Sequence, residues 1–225
     1  ILENPKVGLV NGLYATNIGT GGITTIEAFK FLTDVRLSLE LTGQQGDIMK
    51  ESMRVSKTTA WNLLPTTIKE SIRSESPFGI HIHCPEAAQP KDGPSAGIAI
   101  TIAILSLLSN IPVNNEIAVT GEIDLHGNVL PIGGLQSKLE GAKMAGVKTV
   151  LCPTMNKKDL NKIIESVNSP IEKDVFNVIM INTIFEAIDL MLIGSNCSKL
   201  FMRYSDLSLS HNDYLLTFKS LCDKS

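Results

Sequence analysis

A mixed α/β domain of the α+β class is predicted by three features of this sequence. The N-terminal third is rich in short alternating apolar stretches, one long apolar helix sits near the middle, and strands alternate with helices from Ile117 onward. The 225 residues are 43% hydrophobic and 19% charged, which suits one sizeable core with an appendage. We divide the chain into a domain over 1–193 and a C-terminal extension over 194–225.

Val7–Leu13 and Ile23–Phe29 are expected as strands, separated by a glycine-rich turn over Gly19–Gly22. Val35, Leu37, Leu39 and Leu41 alternate with polar residues and predict a third strand with one buried face. Asp47 is placed to cap a helix that runs to about Leu64 and stops at Pro65. The polar stretch Ser71–Pro77 reads as an exposed loop or helix end. Ile80, Ile82 and Cys84 then alternate with His81 and His83, giving a strand with two histidines on one face. Two histidines at that spacing can share a metal, but nothing nearby suggests a third ligand, and satisfied structural histidines are the expectation.

After a loop over Pro85–Pro90 comes Lys91-Asp92-Gly93-Pro94-Ser95-Ala96-Gly97, and then an apolar run from Ile98 to Leu108. Proline is favoured in the first turn of a helix, where its missing N–H costs nothing, so a helix is expected from Pro94 to Ser109 with Ser95 in its opening turn. That helix is apolar nearly all round and should be a central buried element. Downstream, Ile117–Thr120 is a short strand, and Ile123–Leu130 is a hairpin turning at His126-Gly127-Asn128. A helix spans Leu135–Ala145 and closes at Gly146; Val147–Cys152 and Phe176–Ile181 are strands. Asn156 is expected to cap the helix that follows it, and Thr183 with Glu186 to form a capping box for a helix reaching about Leu192. Beyond Gly194 the pattern is lost, except that Leu215, Leu216, Phe218 and Leu221 fit one amphipathic helix.

The net charge of -3 gives no basic field for nucleic acid or an anionic membrane, and no apolar run is long enough to span a bilayer. Cys84, Cys152, Cys197 and Cys222 lack metal-ligand spacing and read as reduced thiols of an intracellular compartment. The chain opens on Ile1 without an initiator Met and contains no G-x-x-x-x-G-K-[ST] phosphate loop, so we expect a piece of a longer protein whose ATP-driven work, if any, resides elsewhere.

Ser95 is the candidate nucleophile. A helix's first turn offers unpartnered N–H groups and the positive end of the macrodipole to an oxyanion, and Gly93, Ala96 and Gly97 allow a substrate backbone to come close. Serine needs a base. Lys138 falls inside the apolar stripe Leu135, Leu139 and Ala142, where burial would favour the neutral amine. The plainer account of Lys138 is a lysine that lays its stem on the core and reaches water. A second enzyme reading takes Gly93-Pro94-Ser95-Ala96-Gly97 as the nucleophile elbow of an α/β-hydrolase, with Asp124 or Asp159 and His211 completing a triad. Gln89-Pro90-Lys91-Asp92 is a poor strand end for that turn.

Together, Lys91–Gly97, Thr120-Gly121-Glu122-Ile123 and Leu130-Pro131-Ile132-Gly133-Gly134-Leu135 with Lys138 resemble the proteolytic domain of Lon, the ATP-dependent serine protease. The resemblance runs from about Val7 to Leu192. It includes Leu41-Thr42-Gly43, Met49-Lys50-Glu51-Ser52, His81-Ile82-His83 and Asn156-Lys157-Lys158-Asp159-Leu160. It implies the Lon proteolytic-domain fold, which is ribosomal protein S5 domain 2-like, with a β-rich N-terminal half and an alternating C-terminal half. It further implies a Ser95–Lys138 dyad, with Asp92 and Gly93 in the loop before the serine and Thr120 orienting the lysine amine.

Asp92 is otherwise a helix cap or turn residue, and Thr120 an ordinary strand threonine. Ala87, Ser137 and Gln45 depart from the family's usual residues. By resemblance the domain itself needs no cofactor; ATP and Mg belong to an ATPase domain outside this chain. The implied substrates are unfolded or damaged proteins, and the implied assembly is a homo-hexamer. The expected compartment is the mitochondrial matrix, with bacterial cytoplasm or peroxisome as alternatives. A non-catalytic assembly module on the same fold is the remaining alternative.

Overall fold

The structure, a computed structural model, describes residues 4–16, 18–43, 46–85, 93–166, 169–171, 176–194 and 201. Among them, strands β1 (Leu9–Ala15), β2 (Gly21–Leu32), β3 (Leu39–Thr42), β4 (Phe78–His83), β5 (Ile117–Val119), β8 (Thr149–Pro153) and β9 (Asn177–Ile181) form one sheet in the order β3-β4-β2-β1-β5-β8-β9. A small antiparallel pair, β6 (Glu122–Ile123) with β7 (Val129–Leu130), stands apart from it. The β1–β2 and β2–β4 pairs are antiparallel, whereas the edge pair β3–β4 and the pairs β1–β5, β5–β8 and β8–β9 are parallel. This is the mixed architecture expected, with the antiparallel strands early and the βα alternation late.

Side chains alternate across the sheet, and the two faces build two cores. On one face Val10, Ile26, Ala28, Ile80 and Ile82 pack with helices α1 (Asp47–Leu63), α3 (Gly97–Ser109) and α6 (Ile184–Met191). On the other, Leu13, Ala118, Val150 and Cys152 pack with α4 (Leu135–Met144) and α5 (Lys157–Ile164). Helix α3 is buried on nearly every side, as its composition requires, and its polar residues are satisfied: Thr101 Oγ1 and Ser56 Oγ of α1 both donate to the Gly97 carbonyl, at 2.8 and 3.0 Å. Phe201, near the start of the stretch read as a C-terminal extension, is buried with the first core.

Several elements differ from the expectation for identifiable reasons. Gly21 and Gly22 belong to β2, and just before that strand the Thr16 N–H donates to the Thr20 carbonyl at 2.7 Å. Only Leu39–Thr42 of the predicted third strand is strand. Leu37 has φ 54°, Val35 is exposed, and Arg36 donates to the Ile72 and Glu75 carbonyls at the end of helix α2 (Thr66–Ser74), holding this stretch in a turn. Asp47 is the first helical residue of α1 and not its cap, which is Gly46. Asn156 occupies the cap position of α5 without bonding that helix's N–H groups. The expected capping box of α6 is not formed: Glu186 accepts from the N–H of Asn182, one residue before the cap, at 2.9 Å, and Thr183 at the cap position bonds no helix N–H and donates to Glu186 instead. The predicted helix around Leu215–Leu221 lies outside the described residues.

Candidate active site

Ser95 sits in a single 3₁₀ turn, Pro94–Ala96, that leads straight into α3. Gly93 before it has φ 146°, a backbone state that side-chain-bearing residues rarely adopt. The turn is tied to the end of β5. The Ser95 carbonyl accepts from the Gly121 N–H at 2.8 Å and from Thr120 Oγ1 at 3.3 Å, and the Ile98 N–H donates to the Gly121 carbonyl at 3.1 Å. Burial of α3 therefore fixes the serine's position in depth, and these bonds fix it laterally.

Lys138 arrives from the opposite face of the sheet. Helix α4 lies so close to β2 that a Cβ on Gly21 would fall 2.0 Å from the Ser137 carbonyl oxygen, and one on Gly141 would fall 2.3 Å from the backbone of Gly21 and Gly22. The glycines that read as a turn are a helix-on-strand contact. From there the lysine stem passes through the second core, leaving the residue only 3% exposed, and Nζ donates to Thr120 Oγ1 at 3.2 Å. Desolvation lowers the amine's pKa from 10.5 to about 8. The stem does not reach open water.

Thr120 is thus a bridge. Its hydroxyl has one proton, given to the Ser95 carbonyl, so it meets Lys138 as an acceptor. A neutral Lys138 held by one of its own N–H bonds keeps its lone pair free. Among the described residues Ser95 Oγ itself takes no hydrogen bond, from Lys138 or any other side chain. Thr120 thus ties the Ser95 backbone and the Lys138 amine to one point, with no hydrogen bond between Ser95 Oγ and Lys138 Nζ. Asp92 lies outside the described residues, as do Gln45 and Ala87.

The other candidates are placed elsewhere. His81 Nε2 and His83 Nδ1 share the Thr42 hydroxyl at 2.8 and 2.6 Å, the satisfied arrangement expected. Among the described residues no cluster of three or more potential ligands could hold a metal ion. Asp124 is consumed in the β6–β7 turn, where its carboxylate accepts from the His126 and Asn128 N–H groups and from Asn128 Nδ2. Asp159 is bonded to Asn156, and His211 lies outside the described residues. No described strand leads directly into Pro94, since β4 ends at His83. Cys84 and Cys152 are buried, and burial pushes the Cys152 thiol up to about 12. No described helix is long and apolar enough to cross a membrane.

Residues 1–193 match the family model of the Lon protease C-terminal proteolytic domain. The chain belongs to the Lon protease family. A Lon protease homolog from Acanthamoeba polyphaga mimivirus is 41% identical over 193 residues, covering 84% of this chain and 19% of that protein. The Lon proteases of Fervidobacterium nodosum and Methanosphaera stadtmanae are 38% and 46% identical, covering 87% and 72% of this chain and 23% and 19% of theirs. The chain spans about a fifth of the length of these Lon relatives. The segment it shares with them is the Lon proteolytic domain, and the mixed α/β sheet with six described helices is consistent with that fold.

Proposed function

We propose that this chain is a serine endopeptidase domain in which Ser95 and Lys138 form the catalytic dyad. The observation that supports it is the buried Lys138 amine, held by a threonine that also holds the Ser95 backbone. Neutral Lys138 takes the proton from Ser95 Oγ as that oxygen attacks a peptide carbonyl, and backbone N–H groups of the opening turn stabilise the oxyanion. The resulting ammonium returns the proton to the leaving amine as the C–N bond breaks and the acyl-enzyme forms. Lys138 then deprotonates a water that attacks the ester, and passes the proton back to Ser95 Oγ. Thr120 keeps the amine aimed throughout, and Gly93 gives the loop before Ser95 the backbone state it needs.

Following the relatives' family, the substrates are unfolded or damaged proteins, delivered by an ATPase domain outside this chain that binds ATP and Mg. The working assembly is a homo-hexamer. The compartment proposed is the mitochondrial matrix; the bacterial relative makes bacterial cytoplasm the leading alternative, with peroxisome the third.

Turnover of an unfolded protein and of a fluorogenic peptide tests the chemistry. Ser95→Ala and Lys138→Ala should each lower kcat/KM by about a thousandfold or more. A peptide boronate should bind the wild-type chain and fail on Ser95→Ala. Full activity in Lys138→Ala with loss in His211→Ala would replace the dyad by a histidine triad, and a wild-type chain that neither cleaves nor binds the boronate would leave a non-catalytic module.

A further inference from the structure

Asn156 has the wrong bonds for its position. It stands at the N-terminus of α5, where an asparagine ordinarily caps the helix, yet its side chain turns away. The residue is 3% exposed, and all of its amide is engaged: Oδ1 accepts from the Ile132 N–H at 2.9 Å, Nδ2 donates to the Ile132 carbonyl at 2.8 Å, and Nδ2 donates again to Asp159 Oδ2 at 2.9 Å. The orientation of the amide is fixed by chemistry, since turning it over would set its oxygen against a carbonyl and a carboxylate. Asn156 therefore pairs with Ile132 as a neighbouring strand would, and Asp159 aims it.

Ile132 is followed by Gly133, Gly134 and the start of α4. Gly134, at the cap position, has φ 67° and no capping side chain; its carbonyl accepts from the Lys138 N–H at 3.1 Å. Two glycines have little stiffness of their own, so the first turn of α4 needs an anchor just upstream of them. Asn156 is that anchor.

We propose that Asn156, aimed by Asp159, is a positioning residue for Lys138: it holds the Ile132–Gly134 entry to α4 so that the lysine amine stays buried on Thr120. The role rests on the Ser95–Lys138 reading for its catalytic consequence but not for its structural one. Releasing the entry lets the first turn of α4 move and lets water reach Nζ, which raises the pH at which the amine loses its proton.

The experiment follows Asn156→Ala, Asp159→Ala, Asn156→Asp alone and the polarity swap that joins Asn156→Asp to Asp159→Asn, in the full 225-residue chain. For Asn156→Ala we expect kcat to fall about tenfold, as for loss of an outer partner of a catalytic group, with KM little changed. The acidic limb of the kcat/KM–pH profile should move up by about one unit in the same variant. Asp159→Ala, a change at an exposed side chain, should shift both in the same direction by less, and the swap should recover part of what Asn156→Asp alone loses.

Titration of the Lys138 Nζ ¹⁵N signal reads the same pKa without using activity. A raised lysine pKa in Asn156→Ala supports the positioning role even if Lys138→Ala were to stay active, which would sink only the dyad. An unchanged lysine pKa and pH profile in both Asn156→Ala and Asp159→Ala would reduce Asn156 to a structural residue and overturn the proposal.

Discussion

Helices α3 and α4 deliver the two candidate reacting groups, and they are held in different ways. Helix α3 is immobilised by burial: Ile98, Ile100, Ile102, Ile104 and Leu105 are fully enclosed, and Ser95 inherits its position from an element that apolar packing locks from all sides. Helix α4 is short and buries one stripe. It is located by backbone contact at Gly21, Gly22 and Gly141 and by the polar pin of Asn156 on Ile132. The proposed nucleophile is thus placed by apolar packing, and the proposed base by close backbone approach and polar bonds. Stability and catalytic geometry should therefore separate under mutation.

The largest effect on stability is expected in α3. Ile102→Ala removes a fully enclosed side chain and should cost about 2–5 kcal/mol in urea unfolding, with the pH profile of the remaining folded enzyme unchanged. A shifted profile would mean that α3 packing also sets the environment of the lysine. Gly141→Ala comes next. Its Cβ would meet backbone, not a flexible side-chain end, so α4 must lift from β2 at a cost of about 1–3 kcal/mol. The consequence for turnover should be out of proportion to that cost, because Lys138 is carried away from Thr120. If Gly141→Ala kept wild-type kcat while losing stability, the contrast between the two helices would fail.

The same contrast explains what could be read before the structure. The apolar run of α3, the strands near Leu9 and Val150, and the turn at Gly127 express themselves as composition and periodicity, and they were legible. Lys138 was visible as a lysine out of place in the stripe of Leu135, Leu139 and Ala142. The contacts that position it were not. Gly21 and Gly22 carry the same local signal as a turn, because a glycine that permits a bend and a glycine that permits a helix to touch a strand are identical in sequence. Asn156 reads as a cap for the same reason, its partner Ile132 being 24 residues away. The alternation over Val35–Leu41 misled because Arg36 takes its bonds from α2, another element remote in sequence. Thr120 gained its proposed role only from the resemblance; nothing in the local sequence signals its bonds to the Ser95 carbonyl and from the Lys138 amine.

A stabilising change tests whether the proposed base is kept at a cost to the fold. Lys138 has its pKa lowered from 10.5 to about 8, so the unfolded chain holds that proton more tightly than the folded one. Below pH 8 the amine is charged in both states and the folded protein carries the whole penalty of burying it. Between about 8 and 10.5 the folded lysine is neutral while the unfolded one is still protonated, so stability rises with pH; above 10.5 the penalty is gone. Lys138→Met keeps the length of the stem and discards the charge, leaving Thr120 Oγ1 bonded to the Ser95 carbonyl. That variant should be inactive yet more stable than wild type by about 2 kcal/mol at pH 7, with the gain shrinking as the pH is raised towards 10. Urea unfolding of both proteins at the two pH values measures it. A Lys138→Met chain less stable than wild type at pH 7 would show that the buried amine is compensated, and that polar partners, not mere enclosure, hold the base as firmly as apolar packing holds the nucleophile.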